Sequence, residues 1–220
     1  MLDDYKKHVD ERAELNIPPL PLDADQTSEL ISLLKEKNND PDYLLNLLKE
    51  RVPAGVDQAA YVKAAFLADI TTGNASSPYI SKIDAVEILG TMLGGYNVEP
   101  LIRCLEIKEL AETASHVLGR TLLIFDAFNE IFELSKKNKY AKKVIEEWAD
   151  AKWFTEKEDI KDQIKLTVFK VSGEINTDDL SPAPDAWSRP DIPLHALAMF
   201  KMPRTGLDDP LGTIETVSYT

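Results

Sequence analysis

Through residues 1–155, apolar side chains recur at helical spacing, and turn or capping residues interrupt this pattern roughly every ten to fifteen residues. Helices of that length are marginal in isolation, because forming the first helical turn is costly. Each helix must therefore bury its apolar stripe on a neighbouring helix. This feature predicts an all-α domain made of packed helices that are joined by short turns.

The interruptions consist of residue types that begin and end helices. The predicted N-caps are Asp25, Asp40, Asp57, Ser81 and Asn138. Pro41 follows Asp40 at the first helical position, where its missing N–H is tolerated. Asp84 lies three residues after Ser81, which is the spacing of a capping box. Gly73 is predicted to end a helix in the left-handed conformation.

The number and spacing of the predicted helices favour one architecture over another. About nine helices, at roughly one pair per 35–45 residues, indicate a HEAT-like array of stacked antiparallel pairs. No clean sequence repeat accompanies this spacing, so a compact irregular bundle is the alternative.

The hydrophobic period changes near residue 163. Ile164, Leu166 and Val168 alternate with the residues between them, a pattern typical of a strand. The charged segment before this strand lacks core positions and is predicted to be a linker. The chain is thus expected to be an α+β multidomain protein: an all-α HEAT-like helical domain at 1–155, a linker at 156–163, and the start of an α/β domain at 164–220. A short buried helix at 193–200 and a second strand at 212–220 are further expectations.

Charge and cysteine content limit the classes of function. The formal net charge is −13, which opposes non-specific binding to phosphate backbones. The single cysteine, Cys104, excludes an internal disulfide and favours a reducing compartment. The N-terminus is charged from its third residue, unlike a secretory signal, and no apolar run approaches the length of a membrane helix. We therefore expect a cytoplasmic protein.

The segment 176–199, NTDDLSPAPDAWSRPDIPLHALAM, combines charged and hydroxyl side chains with four prolines. Prolines restrict a loop, so that its polar groups are held in place. The planar guanidinium of Arg189 matches a carboxylate with two parallel hydrogen bonds. Nearby Asp and Ser side chains are expected to orient it. The alternative is a structured surface loop that is held by internal ion pairs.

This same segment resembles the beginning of the swivel domain of the bacterial aconitase B family. The runs MLDDYKKHVDERAE, RVPAGVDQAAYVKAAFLADI, GTMLGGYN and WADAKWF resemble that family's N-terminal region. Together they extend over roughly residues 1–200 in register, and runs of this length are specific.

The resemblance implies a function for the complete protein. Family members interconvert citrate and isocitrate through cis-aconitate in the tricarboxylic acid cycle, and many hydrate 2-methylaconitate. They use a [4Fe-4S] cluster, of which one iron binds the substrate. The resemblance also implies a HEAT-like domain associated with dimerisation and protein contacts, a β/β/α swivel domain after it, and mRNA binding when iron is scarce.

The resemblance assigns a role to one residue in particular. The arginine of the WSRP run is Arg189, and its implied role is to bind a carboxylate of the substrate. Asp178 and Ser181 belong to the family's TDD-x-S pattern and are implied to shape the same loop.

Other parts of that active site do not occur in these residues. The family's Gly-Ser-Ser-Arg loop, with its catalytic serine, and its three cluster cysteines have no counterpart in this sequence. Cys104 matches no cluster ligand and is interpreted as a small buried hydrophobe. We therefore expect no catalytic residue and no metal ligand in this chain, no cofactor bound by it, and no activity when it is alone. Residues 201–220 depart from the family pattern.

The remaining candidate residues have simpler interpretations. His8 is interpreted as solvated, His116 as a core or boundary residue, and His195 as a packing residue of a short helix. The lysine-rich segment 136–143 is the only dense basic patch, and it is interpreted as a solvated helix junction rather than an mRNA contact. A stand-alone helical module that binds protein or RNA is the alternative function.

Overall fold

A computed structural model describes residues 2–14, 19–93, 95–121, 127–156, 163–164, 168–171, 174–189, 191–202 and 214–217. The chain forms two compact units. The first contains Pro21–Lys157, and the second contains Leu2–Leu20 together with Glu158–Thr220. Each unit is described by itself below.

The first unit is built from short helices. They are α2 (Ala24–Leu34), α3 (Pro41–Asn46), α4 (Gln58–Thr72), α5 (Lys82–Gly90), α6 (Val98–Cys104), α7 (Ala111–Leu118), α8 (Phe128–Ser135), α9 (Lys139–Ala149) and α10 (Lys152–Thr155). A π-helical turn, Leu47–Arg51, continues α3. The described part of this unit contains helices and no strand, so the all-helical prediction is confirmed there.

Local sequence determines where these helices begin. The carboxylates of Asp40 and Asp57 accept hydrogen bonds from the first turns of α3 and α4, as predicted. Ser81 and Asp84 form the predicted capping box at α5. Asn138 caps α9 by accepting from two backbone N–H groups. Gly73 ends α4 with φ of 84°, a left-handed conformation that a residue with a Cβ rarely adopts.

The predicted cap at Asp25 is wrong. Asp23 caps α2 instead, because Gln26 lies three residues after it and completes a capping box. Asp25 lies within the first turn, where a negative charge interacts favourably with the exposed helix N–H groups.

Helix packing follows a nearly linear order in the first unit. Helix α4 contacts α2 and α5, α5 contacts α7, α7 contacts α9, and α9 contacts α8. Fully buried leucines line these contacts, among them Leu30, Leu67, Leu89 and Leu118. Burying side chains of this size supplies most of the stability that such short helices lack alone. The HEAT-like stacking itself stays a prediction.

The second unit combines short helices with a two-stranded antiparallel sheet. Its elements are α1 (Leu2–Glu14), β1 (Val168–Val171), α11 (Thr177–Leu180), a 3₁₀-helix (Ala183–Ser188), α12 (Ile192–His195), a second 3₁₀-helix (Ala196–Ala198) and β2 (Ile214–Val217). Strand β1 pairs with β2, so that Val168 lies opposite Val217.

Several expectations fall on this second unit. The predicted strand begins at residue 164, but residues 165–167 lie outside the described residues, and the observed strand β1 starts at Val168. The second predicted strand is observed at Ile214–Val217. One antiparallel pair and short helices do not establish an α/β swivel domain, so that assignment stays a prediction. The predicted domain boundaries also stay predictions, because most of the linker lies outside the described residues.

In the described part of the chain, no helix combines the length and the apolar character that crossing a membrane requires.

Candidate functional site

The loop around Arg189 starts with a well-defined helix cap. The Asn176 side chain accepts hydrogen bonds from the backbone N–H groups of Asp178 and Asp179, and an Asp179 carboxylate oxygen accepts from the Asn176 N–H. This capping box begins α11, which is one turn long. The Ser181 N–H then donates to the Thr177 carbonyl at 2.7 Å and ends the turn. The serine is thereby fixed directly after the helix.

Arg189 follows the first 3₁₀-helix and turns back onto this serine. Its Nε–H donates to Ser181 Oγ at 3.1 Å, and Nη2 donates to the Ser181 carbonyl at 3.4 Å. These two donors form one side of the guanidinium. The side chain is otherwise exposed, and its other three N–H donors have no protein partner within the described residues.

The Ser181 hydroxyl has a second partner in His195. Ser181 Oγ lies 2.8 Å from Nε2 of the imidazole, and Ser188 Oγ lies 2.8 Å from Nδ1. The hydroxyl of Ser188, which is almost fully buried, donates to the Asp185 carbonyl at 2.8 Å. One imidazole therefore connects the end of α11 with the end of the 3₁₀-helix.

Two aspartates anchor the same loop. Asp191 is 1% exposed, and its carboxylate accepts from the Leu194 N–H at the start of α12. Asp185 forms an ion pair of 2.9 Å with Lys201. The ion pair between Asp185 and Lys201 agrees with the interpretation of this segment as a surface loop held by internal ion pairs. The exposed guanidinium of Arg189 agrees with the interpretation as a binding loop.

The structure refines which residues of this loop act together. Arg189 and Ser181 are in contact through a hydrogen bond. Asp179 rather than Asp178 holds the capping box, and the described bond of Asp178 is made by its backbone N–H. The Asn-x-x-Asp spacing is a sequence signal for that cap. His195 was interpreted as a packing residue, but both of its ring nitrogens lie at hydrogen-bond distance from serines.

The other histidines also differ from their interpretations. His8 is half-buried and accepts a hydrogen bond from the Leu20 N–H at 3.0 Å, so it is not simply solvated. His116 is exposed on α7 and is not a core residue.

Cys104 is fully buried in α6, in agreement with its interpretation as a small hydrophobe. Burial raises the pKa of its thiol, which disfavours the thiolate that metals and electrophiles require. Within the described ranges, no three His, Cys, Asp or Glu side chains are placed to hold a metal ion.

Three lysines of the lysine-rich segment 136–143 form ion pairs with glutamates of their own helices. Lys136 pairs with Glu133, Lys142 with Glu146 and Lys143 with Glu147, each one helical turn away. Lys139 lies 4.7 Å from the centre of the Tyr140 ring. These contacts are typical of a solvated helix junction.

Comparisons with known proteins identify the family. Residues 4–154 match the Aconitate B N-terminal domain, and residues 166–219 match the Aconitate hydratase 2 N-terminus. Aconitate hydratase B of Pseudomonas aeruginosa is 54% identical over 99% of this chain and 26% of its own length. The enzyme of the same name from Escherichia coli is 55% identical over 94% of this chain and 24% of its own length.

A third relative has a similar identity and coverage. Aconitate hydratase B of Synechocystis is 54% identical over 97% of this chain and 25% of its own length. The chain thus spans about a quarter of the length of these relatives. With the two family matches covering most of its residues, the chain belongs to the aconitase B family, of which it represents the N-terminal region.

Proposed function

We propose that this chain is the N-terminal portion of an aconitate hydratase B, a hydro-lyase that isomerises citrate and isocitrate through cis-aconitate. In this proposal Arg189 binds one carboxylate of the substrate. The identity to aconitate hydratases B over nearly the whole chain supports the reaction. The geometry of Arg189 supports its role.

The hydrogen bonds of Arg189 leave a suitable face for a carboxylate. Ser181 occupies Nε and one N–H of Nη2, which form one side of the planar group. The end of the guanidinium, formed by Nη1 and the remaining Nη2 hydrogen, then points away from Ser181 with two parallel donors. A carboxylate accepts two such donors at once, which fixes its orientation as well as its charge. This exposed, oriented fork is the observation that carries the proposal.

The residues of this chain do not fit a [4Fe-4S] cluster. Such a cluster needs several cysteine thiolates, whereas the sequence has one cysteine, which is buried and has a raised pKa. If the complete enzyme binds a cluster, its ligands come from outside these 220 residues. The chain by itself is then expected to be inactive, and measurable hydration of cis-aconitate by the purified chain would contradict this.

Kinetics of a full-length aconitate hydratase B carrying this chain test the role of Arg189. A lost hydrogen bond to a charged group costs about 1.5–3 kcal/mol, so Arg189→Ala is expected to lower kcat/KM by about 10- to 150-fold. Arg189→Lys retains the charge but not the fork, and is expected to restore only part of this loss.

Arg103→Ala serves as the matched control for these variants. Arg103 is exposed on α6 and pairs with Glu99 at 3.1 Å, so its removal deletes the same charge from the helical unit. Kinetic constants of Arg189→Ala equal to those of this control would remove Arg189 from the site.

We also propose that the helical unit mediates self-association. Phe128 and Phe132 are each 44% exposed on α8, and the Phe128 ring stacks on Phe132 and on Trp148 of α9. Exposed aromatic clusters are enriched in protein interfaces. Sedimentation velocity over a range of concentrations is expected to show a dimer that Phe132→Ser weakens, whereas a strict monomer would contradict self-association.

RNA contact is the weaker candidate. The net charge of −13 and the ion pairs of the lysine-rich segment 136–143 both oppose it. The cytoplasm, which a single reduced cysteine favours, remains part of the proposal.

A further inference from the structure

The direction of the hydrogen bonds around His195 follows from one of its partners. Ser188 has a single hydroxyl hydrogen, and this hydrogen is donated to the Asp185 carbonyl. Ser188 Oγ must therefore accept at the imidazole, so the ring carries its hydrogen on Nδ1. In the neutral imidazole, Nε2 is then an acceptor.

This tautomer determines how Ser181 faces Arg189. With Nε2 as acceptor, the Ser181 hydroxyl hydrogen points at the ring. The lone pairs of Ser181 Oγ are thereby left for the Arg189 Nε–H, which lies 3.1 Å away. Without the imidazole, the Ser181 hydroxyl can rotate. When its hydrogen points at Arg189, that hydrogen and the positively charged guanidinium repel each other.

We propose that His195 is a positioning residue for Arg189, acting through the Ser181 hydroxyl. The inference rests on the carboxylate-binding role proposed for Arg189. The main chain that carries this imidazole is held in place, because the His195 backbone N–H donates to the carbonyl of the buried Asp191 at 2.8 Å. In the resulting series, Arg189 donates to Ser181, and Ser181 donates to His195. His195 then donates to Ser188, which donates to the main-chain carbonyl of Asp185.

Nuclear magnetic resonance on the 220-residue chain tests the network without any enzymatic assay. Long-range ¹H–¹⁵N spectra of the histidines are expected to show His195 protonated on Nδ1 only. The Arg189 Nε–H is expected to exchange slowly with water, and to exchange at least about threefold faster in His195→Phe and in Ser181→Ala, since each removes one hydrogen bond of the series. A ring protonated on Nε2 only would overturn the proposal.

A second variant keeps the test informative if His195→Phe fails to fold. Ser188→Ala leaves the imidazole in place but removes the acceptor that sets its tautomer, and it is expected to mix the two tautomers. His116→Phe is the matched control, because His116 is exposed on α7 in the other unit. An unchanged tautomer in Ser188→Ala would also contradict the proposal.

Kinetics of the full-length enzyme separate positioning from a general structural role. His195→Phe and Ser181→Ala are each expected to lower kcat/KM by about three- to tenfold, the effect of one hydrogen bond. In an Arg189→Ala background the same substitutions are expected to have no further effect, because they act through the guanidinium. Losses that persist in full in that background would show a structural role and overturn the inference.

The two proposals fail in distinguishable ways. If Arg189→Ala does not change the kinetics, the proposed carboxylate role is wrong, whatever His195 does. If Arg189→Ala impairs the enzyme but His195→Phe and Ser181→Ala do not, only the positioning role of His195 is wrong.

Discussion

At the scale of single residues, Asp84 links a local hydrogen bond to the stability of a helix. Its carboxylate accepts from the Ser81 N–H at 2.8 Å, while its own N–H donates to Ser81 Oγ at 3.1 Å. The hydrogen bonds with Ser81 lower the pKa of Asp84 below its ordinary value of 3.8. The ionised form is thus favoured by the folded protein.

This lowered pKa predicts a pH-dependent effect of Asp84→Asn. The contribution of a carboxylate with a depressed pKa is fully present above the unfolded-state value and disappears as the pH falls through the folded-state value. At pH 7 we expect Asp84→Asn to lower the free energy of unfolding by about 0.3–1 kcal/mol. The difference from the unsubstituted chain should shrink below pH 3.8.

Urea unfolding at several pH values measures this difference. Glu87→Gln, an exposed change on the same helix, is the control for the loss of one negative charge. An effect of Asp84→Asn that is equally large at every pH would contradict the role of ionisation.

Residue-level predictions from sequence succeed where the cause is local. The caps at Asp40, Asp57 and Asn138 depend on side chains and N–H groups within three residues of one another. The network of His195 is different, because its partner Ser181 lies fourteen residues away and the tautomer depends on a third group. Chain spacing contains no signal for such an arrangement, so the sequence predicted only packing for His195.

At the scale of elements, the contact between α5 and α7 depends on the lack of a side chain at Gly90. A Cβ built at this position would lie 2.6 Å from Val117 Cβ, closer than packed atoms approach. The two helices therefore require a glycine at the C-terminal end of α5. Sequence periodicity predicts each helix separately but does not identify which residues meet between them.

Gly90→Ala has two opposing effects on the stability of the chain, and packing against Val117 decides which of them is larger. In an open helix the substitution stabilises by up to about 1 kcal/mol, because alanine is the better helix former. Here the overlap with Val117 is expected to outweigh that gain and to destabilise the chain by about 1–3 kcal/mol.

Chemical denaturation followed by circular dichroism provides the measurement, with the exposed Glu87→Ala as a control on the same helix. A Gly90→Ala chain more stable than the unsubstituted one would show that α5 and α7 are not as close as described.

At the scale of the whole molecule, a change of sequence pattern distinguishes the first unit from residues 158–220 of the second unit. Helical periodicity predicted the first unit, whose described part is helical throughout. The change of period near residue 163 predicted strand β1, which is observed at Val168–Val171, while residues 165–167 lie outside the described part of the chain. The sequence did not predict that residues 2–20 belong with residues 158–220, because such an association depends on long-range contacts.

The proposed role of Arg189 is to bind a carboxylate of the substrate, and equilibrium binding tests this role most directly. Tricarballylate has three carboxylates, as citrate and isocitrate do, but it has no hydroxyl group to eliminate. Its Kd for the full-length enzyme therefore reports binding without turnover. We predict that Arg189→Ala raises this Kd by about 10- to 150-fold, whereas Arg103→Ala leaves it unchanged. The same Kd in the Arg189→Ala enzyme and the unsubstituted enzyme would contradict the account.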